Sequence, residues 1–146
     1  MMKPVEEVVW QFFGYETPAG GRAVQEWFDA LLPEERDEAL DTLGYLQTLP
    51  LRLWNKPEYQ PLGDGLSEIR FKVNSLNEIV RIYGFFWPPL PKERDRKPGV
   101  KYYPAYTFLN GKDKKVKDDK AGKKEARRRM RLIEQGKARV HVFKFS

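Results

Sequence analysis

Hydrophobic and polar positions alternate most clearly in the stretch SEIRFKVNSLNEIVRIYGFF, residues 67–86. A period of two residues is typical of β-strands, because successive side chains point to opposite faces of the sheet. A polar turn at Ser75 and Leu76 separates two such runs. The pattern therefore predicts an antiparallel β-hairpin with strands over residues 66–74 and 78–87.

The apolar residues of this hairpin determine its register. A turn at that position places Ile69 opposite Ile82 and Phe71 opposite Val80, so that all four share one face. A slip by one residue would separate them onto opposite faces. The hydrophobic pattern therefore favours this register.

The same register brings like charges together. Arg70 lies opposite Arg81, the next pair is Glu68 with Tyr83, and Lys72 is nearby. Like charges directly across two strands destabilise their pairing. The pattern indicates either that the arginines bind an anion or that Glu68 neutralises them in a salt-bridge cluster on the sheet face.

Weaker patterns predict the other elements. The β-branched and aromatic run VEEVVWQFF indicates a first strand, and apolar residues at helical spacing indicate three helices. Expected strands lie at Val5–Phe13, Tyr103–Leu109 and residues 137–146, expected helices at Arg22–Leu32, residues 33–48 and Lys123–Gln135, and expected loops at residues 14–21, 50–65 and 110–122. We interpret the charged, proline-rich residues 88–103 as a mobile insertion.

Charge is distributed unevenly along the 146 residues. Residues 1–50 contain three basic and ten acidic side chains, a net charge of −7, whereas residues 51–146 carry a net charge of +13. Such asymmetry indicates an anionic partner, of which nucleic acid is the commonest, although a solvated basic surface has the same composition.

Other features of the composition narrow the class of protein. Hydrophobic residues make up 40% of the chain and include four Trp, seven Tyr and nine Phe, which is enough for a core. Cysteine is absent, which excludes disulfides and thiolate metal sites and fits a reducing compartment. The first residues, MMKPVEEVVW, lack the long apolar run of a signal peptide, and no segment approaches about 18 apolar residues. We expect a soluble, cytoplasmic protein with no membrane partner.

The polar residues of the hairpin suit one type of reaction. Guanidinium groups match the oxygen atoms of a phosphate, and a carboxylate and a phenol can transfer protons. Arg70 and Arg81, with Glu68 and Tyr83, therefore suit RNA cleavage by the substrate's own 2′-hydroxyl group. That reaction needs a base, an acid and stabilisation of the phosphorane. We expect neither a metal nor a cofactor, and we interpret the single histidine, His141, as structural.

The order of elements and three segments resemble a known family. The segments are GLSEIRF, EIVRIYGFF and YTFLNGKDKKVKDDKAGKKEARRRM, which follow an expected strand and two expected helices. Together they resemble the RelE/HigB toxins of bacterial type II toxin–antitoxin systems, in particular the phage-derived, HigB-like branch. The resemblance covers about residues 5–135, and the paired lysines of the family correspond to Lys114 and Lys115.

The resemblance implies a fold, an activity and partners. The fold is a RelE/ParE-like α+β single domain over residues 1–146, with a small, curved, mainly antiparallel sheet, two N-terminal helices on one face and a C-terminal helix. The chain departs from this fold in adding a proline-rich insertion and an extra strand at residues 137–146. The activity is that of a toxin that cleaves mRNA on the ribosome. The partners are the ribosome, mRNA and a cognate antitoxin, expected to be a HigA-like helix-turn-helix protein.

The resemblance, which places Arg70, Arg81, Lys112, Lys114 and Lys115 by position, and the hairpin register together give the candidate site residues. The catalytic candidates are Arg81, Arg70, Glu68 and Tyr83, and the RNA-binding candidates are Lys72, Lys112, Lys114, Lys115, Arg127 and Arg128. The chain departs from the family in having Asn110 where relatives often carry histidine, and in lacking a tyrosine after the basic loop. The assignment of the general acid and base therefore stays open.

Two other functions are compatible with these patterns. A toxin of the same fold that poisons DNA gyrase, as in the ParE branch, would not need a nuclease site. The nuclease is favoured over the gyrase-poisoning toxin because the hairpin register aligns Arg70, Arg81, Tyr83 and Glu68. A non-catalytic protein that binds RNA or the ribosome would share the basic charge, and only the family resemblance argues against it.

Overall fold

The computed structural model describes residues 9–113 and 118–145 of the chain. The elements in chain order are β1 (Gln11–Glu16), α1 (Ala23–Asp29), α2 (Pro33–Gln47), β2 (Tyr59–Gly63), β3 (Leu66–Val73), β4 (Glu78–Phe85), β5 (Ala105–Lys112), α3 (Lys120–Glu134) and β6 (Arg139–Val142). The six strands form one sheet in the order β2-β3-β4-β5-β1-β6. Only the β1–β5 pair is parallel, so the molecule is an α+β domain with a mostly antiparallel sheet.

The hairpin of β3 and β4 has the register that its apolar pattern predicts. Ile69 pairs with Ile82, and Phe71 pairs with Val80. All four side chains are buried on the face that α1 and α2 cover. Burying a side chain of this size contributes about 1.5–3 kcal/mol, whereas a like-charge pair across two strands costs at most about 1 kcal/mol. The hydrophobic face therefore determines the register.

Helices cover both faces of the sheet. Helix α2 packs on β3 and α1 packs on β5 and β1, while α3 packs on β5, β4 and β3. A buried stripe on α2 and another on α3 face the sheet, and their members are Ala39, Leu43, Leu46, Ala126, Met130 and Ile133. The hairpin face that carries Arg70 and Arg81 is therefore partly covered by α3.

An edge strand was missing from the sequence-based assignment. Residues 50–65 were expected to be a loop, but β2 pairs antiparallel with the first half of β3, with Tyr59 opposite Ile69. A proline at position 61 argues against a central strand, but an edge strand tolerates it because one side makes no ladder hydrogen bonds. The expected loop was therefore wrong at residues 59–63.

Strand boundaries also differ from those expected. Strand β1 includes Gly14–Glu16, which were assigned to a loop, because β5 and β6 pair with it on both sides. The expected residues 5–8 of this strand lie outside the described residues. Strand β5 continues past Leu109 to Lys112, since β4 pairs with the added residues. Helix α3 begins three residues earlier than expected, after the cap at Asp119.

Two peripheral segments were expected to extend the domain. Residues 137–146 contain β6, which is shorter than expected and pairs with β1. Residues 88–103, all of which are described, form the 3₁₀ turn Glu93–Asp95 and otherwise irregular backbone. The mobility of that segment stays a prediction. Of the helices in the described part of the chain, none has the length and apolar character to cross a membrane.

A glycine on β5 allows α1 to approach the sheet. A Cβ atom on Gly111 would lie 2.4 Å from the indole ring of Trp27. We expect Gly111→Ala to destabilise the domain by about 1–3 kcal/mol, because the ring or the helix must move. Urea-induced unfolding followed by circular dichroism would measure the change.

Gly44 in α2 provides the control for this experiment. A Cβ atom there meets no atom within 4 Å. Gly44→Ala should stabilise the helix by about 0.5–1 kcal/mol, since alanine has the higher helix propensity. Equal effects of the two substitutions would contradict the proposed packing of Trp27 on Gly111.

Candidate nucleic-acid interface

Three cationic side chains lie side by side across the middle of the sheet. Arg70 on β3 pairs with Arg81 on β4, and Arg81 pairs in turn with Lys112 on β5. We call Arg70, Arg81 and Lys112 the cationic row. All three side chains are partly exposed, and Lys72, two residues along β3, is exposed beside them. The sheet thus presents at least three positive charges on adjacent strands.

The two arginines form the closer of the two kinds of antiparallel pair. The N–H of Arg70 donates to the carbonyl of Glu58, 2.9 Å away on the β2 side. Since the N–H and C=O of a strand residue point to the same side, Arg70 makes no ladder hydrogen bond with Arg81. Cα atoms in such pairs are about 4.5 Å apart, and the side chains are close. The guanidinium groups therefore repel each other unless an anion lies between them.

Glu68 supplies a single negative charge near the row. Its Oε2 lies 3.9 Å from Nε of Arg81, at the outer limit of an ion pair. In the described part of the chain, no other ion pair reaches Arg70, Arg81 or Lys112. One long contact leaves most of the charge of the row uncompensated. The salt-bridge interpretation of the sequence therefore accounts for only part of this cluster.

Tyr83 connects the sheet to the beginning of α3. Its hydroxyl group donates to Oδ2 of Asp119 at 2.9 Å, and the side chain is fully buried. Burial, together with the hydrogen bond to the Asp119 carboxylate, raises the pKa of Tyr83 well above that of a free tyrosine. Glu68 is also buried, at 4% exposure. The two residues expected to transfer protons are thus both buried, and Tyr83 is bound to the residue that caps α3.

Asp119 is the important residue of this site that the sequence analysis missed. Its Oδ1 accepts from the N–H of Gly122 at 3.0 Å and caps α3, while its other oxygen binds Tyr83. A Cβ atom on Gly122 would lie 2.0 Å from the carboxylate, so the cap needs a glycine there. An aspartate just before a helical pattern is a known capping signal. That signal could have identified the true start of the helix.

The end of β5 is held from both faces. Asn110 donates to the carbonyl of Gly122 in α3 at 3.2 Å, and the indole of Trp27 donates to Asp113 at 3.3 Å. These contacts fix the backbone on either side of Lys112. The candidates Lys114 and Lys115 lie outside the described residues, so their RNA-binding role stays a prediction.

The arginines of α3 point in different directions. Arg127 donates to the carbonyls of Gly63 and Leu62 at 3.1 and 3.2 Å, beside the end of β2. Arg128 is exposed and forms an ion pair with Glu125. This hydrogen-bonded pair lowers the pKa of Glu125 and raises that of Arg128. Neither arginine joins the cationic row, although Arg128 remains accessible on the helix surface.

A buried acidic cluster lies on the opposite face of the sheet. Glu35 on α2 accepts from the N–H of Leu32 at 2.8 Å. Burial raises the pKa of Glu35, and the nearby Glu78 and Asp113 raise it further. In the described part of the structure, Oε2 of Glu78 is buried without a hydrogen-bond partner. A protonated Glu35 would donate to that oxygen, so we interpret the two glutamates as a pair that shares a proton.

His141 is buried against the sheet, in agreement with a structural role. Its Nδ1 lies 2.9 Å from the carbonyl of Val142, and its ring packs against Gly14. Burial lowers the pKa of His141, which favours the neutral ring. Over the described ranges, no group of three or more His, Cys, Asp or Glu side chains is arranged to hold a metal ion.

No protein-family model matches this chain, and neither curated proteins nor solved structures gave a match. The interface is therefore interpreted from its own geometry and charge.

The Tyr83–Asp119 hydrogen bond should contribute to stability. Tyr83→Phe leaves Oδ2 of Asp119 buried without its donor, which costs about 1–3 kcal/mol. Thermal unfolding should show the loss, and amide hydrogen exchange at Gly122 should become faster. Tyr45 is exposed, and Tyr45→Phe should change stability by less than about 0.5 kcal/mol. An unchanged exchange rate at Gly122 would show that the bond does not hold the helix cap.

The raised pKa of Glu35 predicts the pH dependence of stability. A carboxyl group whose pKa rises on folding stabilises the fold while it is protonated, and this contribution is lost as pH increases through the raised pKa. Glu35→Gln keeps a donor for Glu78 and an acceptor for Leu32 but cannot ionise. Urea unfolding at pH 5 and pH 8 should show the variant gaining stability over the wild type at the higher pH. A variant that is less stable at pH 8 would contradict the shared proton.

Proposed function

We propose that this protein is the toxin of a bacterial toxin–antitoxin system and that it cleaves mRNA on the ribosome. The observation that carries the proposal is the cationic row, in which three strands present Arg70, Arg81 and Lys112 side by side. The proposed family rests on the resemblance of the sequence motifs to those of RelE/HigB toxins. The RelE-like fold is part of the same proposal. The six-stranded α+β domain supports it only in general kind.

The chemistry requires charge stabilisation above all. The 2′-hydroxyl oxygen attacks the adjacent phosphorus, the bond to the 5′ oxygen breaks, and a 2′,3′-cyclic phosphate and a 5′-hydroxyl group form. A base removes the proton of the nucleophile, and an acid protonates the leaving oxygen. The phosphorane between these steps carries extra negative charge. Preorganised cations near that charge accelerate the reaction without a metal or a protein nucleophile.

The geometry favours Arg81 as the central cation. It is the middle member of the row, and its side chain is 17% exposed, so it is ordered by the sheet yet accessible. Arg70 and Lys112 flank it on the neighbouring strands. A phosphate bound across the row would replace the repulsion between these groups with charge-assisted hydrogen bonds. Glu68 lies near enough to orient Arg81 through their ion pair.

The proposal also implies inhibition by a partner. A cognate antitoxin, expected to be a HigA-like helix-turn-helix protein, would cover the row with an acidic segment. Ribosome binding through the same row should weaken steeply with salt, because each phosphate contact releases counterions.

One observation favours a second function, that of a non-catalytic RNA-binding protein. The side chains of Glu68 and Tyr83 are buried, so neither carries a proton to solvent in this conformation. A binding protein needs the cationic row but no general acid or base. The two functions differ in whether bound mRNA is cut.

Substitution of Arg81 tests the proposal. Removing one preorganised charge donor typically lowers the rate about a hundred- to a thousandfold. Arg81→Ala should therefore abolish cleavage of mRNA on programmed ribosomes, while circular dichroism shows an intact fold. Arg81→Lys should rescue only partly, because an ammonium group lacks the planar fork of arginine.

Arg52, an exposed arginine on the 3₁₀ turn Leu51–Leu53, provides the matched control. Arg52→Ala should leave cleavage unchanged. Wild-type cleavage by Arg81→Ala would refute the catalytic role of the row. Ribosome binding by the wild type without any cleavage would establish the non-catalytic function instead. Glu68→Gln then separates the two roles of Glu68, because loss of a general base abolishes cleavage, whereas loss of a salt-bridge partner mainly loosens the arginines.

A further inference from the structure

A large cavity adjoins one end of the cationic row. It has a volume of about 600 Å³ and opens between α2, the segment before β2 and the exposed part of β3. Binding sites for small molecules have volumes of about 300–1,000 Å³. Arg70 lines this cavity and also belongs to the row, so a ligand could contact both. The cavity is therefore continuous with the proposed phosphate-binding surface.

The cavity exists because β2 covers only half of β3. Pairing of β2 ends at Tyr59 opposite Ile69, followed by the single hydrogen bond from Arg70 to Glu58. Residues of an antiparallel strand alternate in the side to which their N–H and C=O point. The backbone groups of Lys72 consequently face the same edge as those of Arg70, beyond the end of β2. A ligand in the cavity meets both apolar side chains and backbone groups.

The lining divides into three chemical parts. Phe71 on the face that α2 covers, Ile79 on the face of the row and Pro57 before β2 provide apolar surface around the open edge of β3, which we call the apolar wall. Lys72 and Arg70 provide positive charge on the side of the row. An apolar wall next to cations is typical of sites for single-stranded nucleic acid, in which the base contacts the wall and the phosphate contacts the cations.

Two carboxylates also line the cavity, together with Lys56, Thr42 and Gln60. Glu38 of α2 and Glu58 before β2 both contact the cavity and are partly exposed. Neither forms an ion pair within the described ranges. Carboxylates accept hydrogen bonds from the exocyclic amino groups of adenine, cytosine and guanine, whereas the single N3–H donor on the pairing edge of uracil lies between two carbonyl oxygens that repel a carboxylate. They would also repel an acidic peptide, which makes a protein ligand of that charge the poorer fit.

We propose that this cavity binds one base of a single-stranded RNA and selects bases with an exocyclic amino group over uracil. The neighbouring phosphate lies on Arg70 and the rest of the cationic row. The inference rests on the proposed function in that the ligand is RNA, and it adds the part of the site that distinguishes sequence. Glu38 and Glu58 are the specificity-determining residues, and the row is indifferent to the base.

Equilibrium binding to the whole chain tests this inference without cleavage. The probes are 2′-O-methylated tetranucleotides of sequence UUXU, where X is A, C, G or U, which lack the hydroxyl group needed for the proposed reaction. At one fixed salt concentration, fluorescence anisotropy should show that at least one amino-bearing base binds about 5- to 150-fold more tightly than uracil. Glu58→Gln or Glu38→Gln should reduce this preference.

Two controls distinguish an effect of the cavity on base preference from an effect of the cationic row and from an effect of net charge. Glu26→Gln on the exposed side of α1 changes the charge equally and should keep the preference. Arg81→Ala should weaken all four probes together and also keep it. This inference can therefore fail while Arg81 proves essential for mRNA cleavage, and it can succeed for a protein that binds RNA without cutting it.

Several results would overturn the inference. These are the absence of binding, equal affinity for the four probes, and a preference unchanged in both glutamate variants. Competition with a tetraglutamate peptide tests the alternative that the cavity binds an acidic peptide. If it displaces the probes at similar concentration and the base has no effect, the cavity is a site for acidic peptide.

Discussion

Burial of the apolar face of the β3–β4 hairpin is the constraint on which the candidate site depends. Ile69, Phe71, Val80 and Ile82 are removed from water beneath α1 and α2, and only one register buries all four. Each contributes more than a like-charge pair costs. This register therefore holds Arg70 and Arg81 opposite each other on the other face. The cationic row is a consequence of packing on the opposite side of the same sheet.

Helix α3 then decides which polar residues remain accessible. Its capped beginning binds Tyr83, and Glu68 is also buried, while Arg70, Arg81 and Lys112 stay partly exposed at the margin. Cations at such a margin are held by the strands but can still exchange water for phosphate. The buried tyrosine serves the structure by binding the capping aspartate. The site is thus well arranged to stabilise negative charge on a substrate, and it is poorly arranged to transfer protons.

The open edge of β3 places the cavity that is proposed to recognise a base next to the cationic row. Because β2 is short, the second half of β3 is paired only with β4. Its other edge faces the cavity. Arg70 belongs to both regions. An RNA strand could therefore contact the row with a phosphate and the cavity with the adjoining base. Edge strands left open in this way also risk pairing with other chains, and the exposed Lys72 reduces that risk.

The sequence alone determined the hairpin, its register and the pairing of Arg70 with Arg81, because alternation along two adjacent strands is a local signal. It also determined α2. It did not determine β2, whose proline-containing segment becomes a strand only by pairing with β3, nor the extension of β5 that brings Lys112 beside Arg81. The bond from Tyr83 to Asp119 and the cavity at Arg70 were decided by the tertiary structure. They join residues far apart in the chain, and no local pattern encodes how α3 and α2 pack across the sheet.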